Sequence, residues 1–405
     1  VNSNRIYFDH AATTPVRSEV ECAMRDAAGQ CNFNPSSLHF EGRLARAALD
    51  AARDRAAAAI GSNRDEIVFT SGGTEAGNLA LFGATRAAAR PAHIVASAIE
   101  HRAVLAALDR LREDGFETSL VPVDREGRVD PVAFERSLRP HTVLASIMYA
   151  NNEVGTIQPI AELSEIARRR GVLFHTDAVA APSWLPVDVR ALGVDLLSVS
   201  GHKFYGPKGV GLLYVRRGVS LAPFIVGGGQ ESGRRSGTEN LAAIHGMARG
   251  LELAVAERAQ MAGKVAALRD RLEAGIRSRV AGVSINAGGA SRLANCCSVS
   301  FTGVDPAALI IALDLAGVSA SAGSACTSGT LEASHVLSAM AVEAGGPSSG
   351  VRFSLGRATT AAEVESVLRI LPGVIEDLRA LGPAVALAGG MGRLETNRAR
   401  LEAGA

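Results

Sequence analysis

Leu196-Leu197-Ser198-Val199-Ser200-Gly201-His202-Lys203-Phe204-Tyr205-Gly206-Pro207-Lys208-Gly209 reads as an apolar strand that runs into a glycine, a histidine and a lone lysine, closed by a glycine- and proline-rich turn. The apolar run is short and bounded by turn residues, which suits a buried strand. A lysine just past such a strand is open to desolvation, and desolvation lowers its pKa. A neutral amine forms a Schiff base with an aldehyde. Ser-x-His-Lys is by itself a short pattern that better suits a solvated surface loop. Its meaning depends on what stands at the other strand ends.

Working outward, strands and helices alternate. Glu66-Ile67-Val68-Phe69-Thr70 reads as a strand feeding Ser71-Gly72-Gly73-Thr74-Glu75-Ala76, which opens a helix. Strand, glycine turn and helix start together form a common phosphate cradle, although this is neither a Walker A sequence nor G-x-G-x-x-G. Further strands are expected at 94–97, 117–123, 143–148, 172–176 and 210–215. Helices are expected at 38–59, 102–114 and 160–170, stopped by Gly61, Gly115 and Gly171. Thr14-Pro15 reads as a helix entry, with helix over 16–29. The alternation predicts an α/β fold with a largely parallel sheet covered on both faces. Thr74, His101, Asn151-Asn152, Asp177 and Lys203 all fall just after strands, where α/β sheets bind their ligands. A glycine-rich connection over 227–237 precedes a long helix, roughly 240–280, with a break near Met261-Ala262-Gly263. The domain boundary is placed in that helix. The remainder reads as α+β, with strands at 295–301 and 351–354, and the end after Pro383 as a loose helix or a disordered tail.

The 405 residues are 47% hydrophobic and 20% charged, ample for a large core and two domains. A net charge of +1 gives no global attraction to nucleic acid or anionic lipid. No apolar run is long enough for a membrane span, and the first residues show no signal-peptide pattern. The five cysteines are an odd number, which argues for free thiols in a reducing cytoplasm. Cys22, Cys31, Cys296 and Cys297 read as small buried apolar residues.

Asp177 precedes Lys203 by 26 residues, also at a strand end. A carboxylate that keeps a ring nitrogen protonated makes an imine on a lysine useful. His101 is suited to stack on a flat ring and to move a proton. Several segments, in order over about residues 5–380, complete the pattern: Tyr7-Phe8-Asp9-His10-Ala11-Ala12-Thr13-Thr14-Pro15, Thr70-Ser71-Gly72-Gly73-Thr74-Glu75, Glu100-His101, Asn151-Asn152-Glu153-Val154-Gly155, Ser200-Gly201-His202-Lys203, Arg235-Ser236-Gly237-Thr238-Glu239-Asn240, Gly323-Ser324-Ala325-Cys326 and Val351-Arg352-Phe353-Ser354-Leu355-Gly356. The chain resembles cysteine desulfurases of the NifS/IscS kind, which are fold-type I pyridoxal 5′-phosphate (PLP) enzymes of the class V aminotransferase family.

The resemblance implies a large PLP-binding domain over 16–257 with a mainly parallel seven-stranded sheet. It implies a smaller α+β domain from 1–15 and 258–383, which carries the catalytic cysteine loop, and a tail at 384–405. Lys203 would carry the cofactor as a Schiff base, Asp177 would pair with its ring nitrogen and His101 would stack on its ring. Gly73, Thr74, Ser200 and His202 would hold its phosphate, joined by Thr238 of a second subunit, so a homodimer is implied. Asn152 would lie near the cofactor hydroxyl and the substrate carboxylate, and Arg352 would bind that carboxylate.

Cys326 stands among small residues and glycines, an unusual setting for a core cysteine, and the resemblance makes it the nucleophile. Its thiolate would take sulfur from L-cysteine, leaving alanine and a persulfide for a sulfur-acceptor protein. Two positions depart from the family. Ala180 stands where a glutamine usually contacts the cofactor hydroxyl, a loss of one hydrogen bond worth about 1 kcal/mol. Ser232 stands where an arginine usually follows Gly-Gly-Gly-Gln-Glu. Selenocysteine lyase, another class V enzyme, or a non-catalytic scaffold for sulfur acceptors are the competing readings. The final destination of the sulfur, whether iron–sulfur clusters, tRNA, DNA or natural products, is not legible in one chain.

Overall fold

The computed structural model describes residues 5–88, 91–322, 334–341 and 350–382. Its strands are β1 (Ile6–Tyr7), β2 (Ile67–Thr70), β3 (His93–Ser97), β4 (Glu117–Val121), β5 (Thr142–Ser146), β6 (Leu173–Asp177), β7 (Leu196–Ser200), β8 (Gly211–Val215), β9 (Val283–Ile285), β10 (Cys296–Phe301), β11 (Val318–Ser319), β12 (Ser321–Ala322) and β13 (Gly350–Ser354). Strands β2 to β8 form one seven-stranded sheet in the order β2-β8-β7-β6-β5-β3-β4. Only β8 runs against its neighbours; the pairs β7-β6, β6-β5, β5-β3 and β3-β4 are parallel. The inner strands β3, β7 and β8 are buried along their whole length, and so is β2 at one edge. This is what a sheet covered on both faces requires. The edge strand β4 instead exposes Glu117 and Leu120.

Helices α1 (Ser18–Gln30), α2 (Phe40–Ala59), α3 (Gly73–Ala87) and α4 (Arg102–Glu113) occur in the first third of the chain. Gly61, Gly115 and Gly171 take positive φ just beyond helix ends, as their stop positions predict. The start of α1 differs from expectation. It begins at Ser18 with Arg17 as N-cap, not at Thr14-Pro15. The Thr14 hydroxyl instead donates to His202 O (2.9 Å) and accepts from the Tyr205 N–H (2.7 Å), so it braces the lysine turn.

The helix Leu241–Arg279 is continuous for 39 residues. The expected break near Gly263 is absent. A single helical glycine costs about 1 kcal/mol relative to alanine, and this helix is buried at both ends. Its first half, through Leu251 and Ala254, joins a core with α2 and the main sheet. Its second half, through Val265, Leu272 and Ile276, joins a core with β10, β13 and the helix Ala361–Leu381. Each fully buried leucine or isoleucine contributes about 1.5–3 kcal/mol. Strands β12, β13, β10 and β9 form a second, antiparallel sheet. β1 pairs in parallel with β11 as a small separate sheet, and a bridge from Asp9 to Ser354 of β13 brings the N-terminal segment to the second sheet.

Candidate active site

The carboxyl ends of β2, β3, β5, β6 and β7 open onto a cavity of about 370 Å³ whose far wall comes from the second sheet. Lys203 lies in the single turn that follows β7. That turn is closed by two glycines: a Cβ at Gly201 would stand 2.8 Å from Pro207 O, and one at Gly206 2.7 Å from Gly201 O. Tyr205 adopts φ +64°, strained for a bulky residue. It is held by Thr14 and by the Arg357 N–H, which donates to its hydroxyl (2.7 Å). Lys203 Nζ projects into the cavity and donates to Ala11 O (2.6 Å) and Ala12 O (3.0 Å).

Asp177, the last residue of β6, and His101, the N-cap of α4, line the same cavity. Burial pushes the Asp177 carboxyl up, while His101, the Val179 N–H and Lys203 pull it down. That N–H donates to Asp177 Oδ1 (2.9 Å). His101 Nδ1 accepts the Ala103 N–H (3.1 Å), so the neutral ring carries its proton on Nε2.

Gly73 and Thr74 begin α3 and also face the cavity, beside Ser200 and His202. No side chain caps α3. An uncapped helix start offers N–H groups and a positive dipole end to an anion. A Cβ on Gly73 would lie 2.6 Å from Val179 Cγ2, so a side chain there would have to displace that valine. His202 is driven down to about 4, first by burial and then by Lys203 and Lys208. Near neutral pH it is therefore an uncharged imidazole, held against the Thr13 hydroxyl (3.1 Å).

Arg352, in the middle of β13, is 4% exposed and supplies the charge of the far wall. Its Nη2 donates to Asp9 Oδ1 (2.8 Å) and its Nη1 to Asn152 O (2.7 Å). Its Nε has no partner among the described residues. Asn152 lines the cavity too, whereas the Asn151 side chain turns inward: its Nδ2 donates to Ile99 O, and its Oδ1 accepts from the Glu153 and Val154 N–H groups.

Nine of the eleven site residues expected from sequence thus meet at one cavity: Gly73, Thr74, His101, Asn152, Asp177, Ser200, His202, Lys203 and Arg352. Thr238 is exposed and outside this cavity. Cys326 lies outside the described residues. The cysteine reading needs correction at Cys22, which is exposed on the outward face of α1, and at Cys31, which is half-buried. Cys296 and Cys297 are buried as expected, but Cys296 also lines the cavity, and burial pushes its thiol up to about 11. Sequence reasoning assigned no role to Asp9. It lies within a matched segment, but its partner is far away in the chain.

The class-V aminotransferase family matches residues 6–367, and the chain belongs to that family. Within it, the cysteine desulfurase IscS of Dictyoglomus turgidum is 47% identical over 379 residues, covering 93% of this chain and 96% of that protein. A solved NifS-like protein superposes with a TM-score of 0.86 at 37% identity, covering 93% of this chain and all of the other. SspA, solved in complex with cysteine, superposes with a TM-score of 0.76 at 34% identity, covering 88% of this chain and all of SspA.

Proposed function

We propose that this protein is a PLP-dependent cysteine desulfurase: it converts L-cysteine to L-alanine and leaves a persulfide on Cys326 for an acceptor protein. The observation that carries this reading is the convergence of Lys203, Asp177, His101, the uncapped start of α3 and Arg352 on one cavity. The residues present fit PLP. The α3 start, Thr74, Ser200 and neutral His202 suit its phosphate, Asp177 its ring nitrogen and Lys203 its aldehyde. When bound, PLP supplies a carbonyl that captures the substrate amine and a protonated ring that accepts electrons from the substrate Cα.

The chain's own residues do the rest. Lys203 moves the proton at the substrate Cα. Arg352, on the far wall of the cavity, holds the substrate carboxylate, while Asp9 offsets the buried guanidinium charge. His101, with its proton on Nε2, exchanges a proton with the substrate thiol. The Cys326 thiolate attacks the substrate sulfur; an S–S bond forms as the C–S bond breaks. The electron pair left on carbon is protonated to give alanine, so no external oxidant or reductant is needed. We assign residues 16–257 to the cofactor-binding domain and 1–15 with 258–383 to the smaller one. Exposed Thr238 supports a homodimer in which it serves the second site. The free state of the four described cysteines supports a cytoplasmic setting.

Holoprotein supplied with L-cysteine and a thiol reductant is expected to release alanine and sulfide in equal amounts. Cys326→Ser should abolish both while keeping the cofactor colour. 3-Mercaptopyruvate from transamination, or pyruvate with ammonia and sulfide from β-elimination, in place of alanine would overturn the reading.

A further inference from the structure

The helical turn His335–Ala339 begins nine residues after Cys326, and its N-cap Ser334 and first residue His335 make polar contacts that the reaction above does not use. Ser334 Oγ donates to Glu153 Oε2 (2.6 Å) and also accepts the Leu337 N–H (3.1 Å), so one hydroxyl both caps the turn and ties it down. His335 Nε2 donates to Glu100 O (2.9 Å). These two anchors lie in the loops that present the site. Glu153 follows Asn152, and Glu100 precedes His101. The loops are tied to each other by Asn151, which accepts from the Glu153 N–H (2.8 Å) and donates to Ile99 O (3.0 Å). Glu100 Oε1 adds bonds from Ser97 Oγ (2.5 Å) and the Met148 N–H (2.8 Å). A separate small apolar core, including Ile99, Met148, Val154, Val336, Leu337 and Met340, fills the space between these elements.

We infer that Ser334 and His335 are positioning residues that fasten the chain leading from Cys326 onto the two loops holding His101 and Asn152. The inference rests on the reading of Cys326 as the nucleophile. Nucleophilic attack needs the reacting atoms within about 3–3.5 Å, and small misplacements cost large factors in rate. Directional hydrogen bonds, one of them buried and made to a carboxylate, fix such a distance better than apolar contact alone. Neither residue lines the cavity, and their loss is expected to act on sulfur transfer more than on the cofactor.

The test compares two reactions of the holoenzyme. Sulfide release from L-cysteine needs Cys326; exchange of the L-alanine α-hydrogen in D2O needs Lys203 and the cofactor but no thiol. The double variant Ser334→Ala/His335→Ala is expected to lose tenfold or more in kcat for sulfide release. KM, α-hydrogen exchange and the cofactor spectrum should stay within twofold. Ser334→Thr and His335→Gln, which each keep a donor, are expected to retain most of the rate. Unchanged sulfide release in the double variant, or an equal fall in both reactions, overturns the inference. Should the double variant not fold, Ser334→Ala alone decides by the same criteria. Sulfide release that survives in Cys326→Ser would instead remove the underlying reading, whatever the double variant does.

Discussion

On the main-sheet side of the cavity, every polar group stands within a few residues of a strand end: Thr74 after β2, His101 after β3, Asp177 closing β6 and Lys203 after β7. On the opposite side, Arg352 reaches Asp9 and Asn152, partners 343 and 200 residues away in sequence. The first wall is produced by local rules, since a buried strand must end in a turn and the turn presents the side chain. The second exists only after β1 and β13 have been brought together from the two ends of the chain. The first wall also uses uncharged or balanced groups, as His202 and Asp177 illustrate. The second buries a permanent cation against a carboxylate.

Variants that break one wall should therefore fail differently from variants that break the other. The largest effect is expected on the strand-end side. Lys203→Ala should lower kcat by at least about a thousandfold and remove the cofactor's Schiff-base absorbance; retained colour would detach Lys203 from the cofactor. On the far wall, Arg352→Lys keeps the charge but loses the fork, and should lower kcat/KM by roughly tenfold to a hundredfold, mostly through KM. Steady-state kinetics with L-cysteine measures it, and a pure kcat loss would count against a carboxylate-binding role.

Behind the strand-end wall, Glu100 is fully buried, and burial pushes its carboxyl up to about 8. Below about pH 4.5 it is protonated in both the folded and unfolded chains. From there to about pH 8 only the folded chain keeps the proton, so stability falls as pH rises, by up to about 1.4 kcal/mol per unit. Glu100→Gln should flatten that part of a stability-against-pH curve, and an unchanged slope would show the carboxyl ionised. The smallest effect is expected at Ala180, which lines the cavity next to the strand-end wall. Ala180→Gln should tighten cofactor binding by about 1 kcal/mol, roughly fivefold, measured by cofactor release. Weaker binding would mean that the position has been repacked for a small side chain.

The same contrast explains what the sequence made legible. Glycines at 61, 115 and 171 marked helix ends because only they take the left-handed turn cheaply. The apolar runs of β2 and β7 located the strand ends, and with them Thr74 and Lys203. Thr14 misled because its local neighbour, Pro15, suggests a cap, while its actual partners lie 188 and 191 residues away. Cys22 misled because residue type predicts burial only on average, and the helix rotates it outward. Arg352 was recognised through resemblance to a family, and its ion pair with Asp9 was not foreseen at all. Nothing local distinguishes an aspartate that will meet an arginine across the whole chain.

The central claim is that this cavity delivers sulfur from L-cysteine to Cys326. The most direct measurement is the mass of each cysteine-containing peptide after a single turnover of holoprotein with L-cysteine, without reductant. The account predicts one added sulfur atom on the peptide bearing Cys326, matched by one alanine, and neither in Lys203→Ala. Added sulfur on Cys296 or Cys22, or alanine formed with Cys326 unmodified, would contradict it.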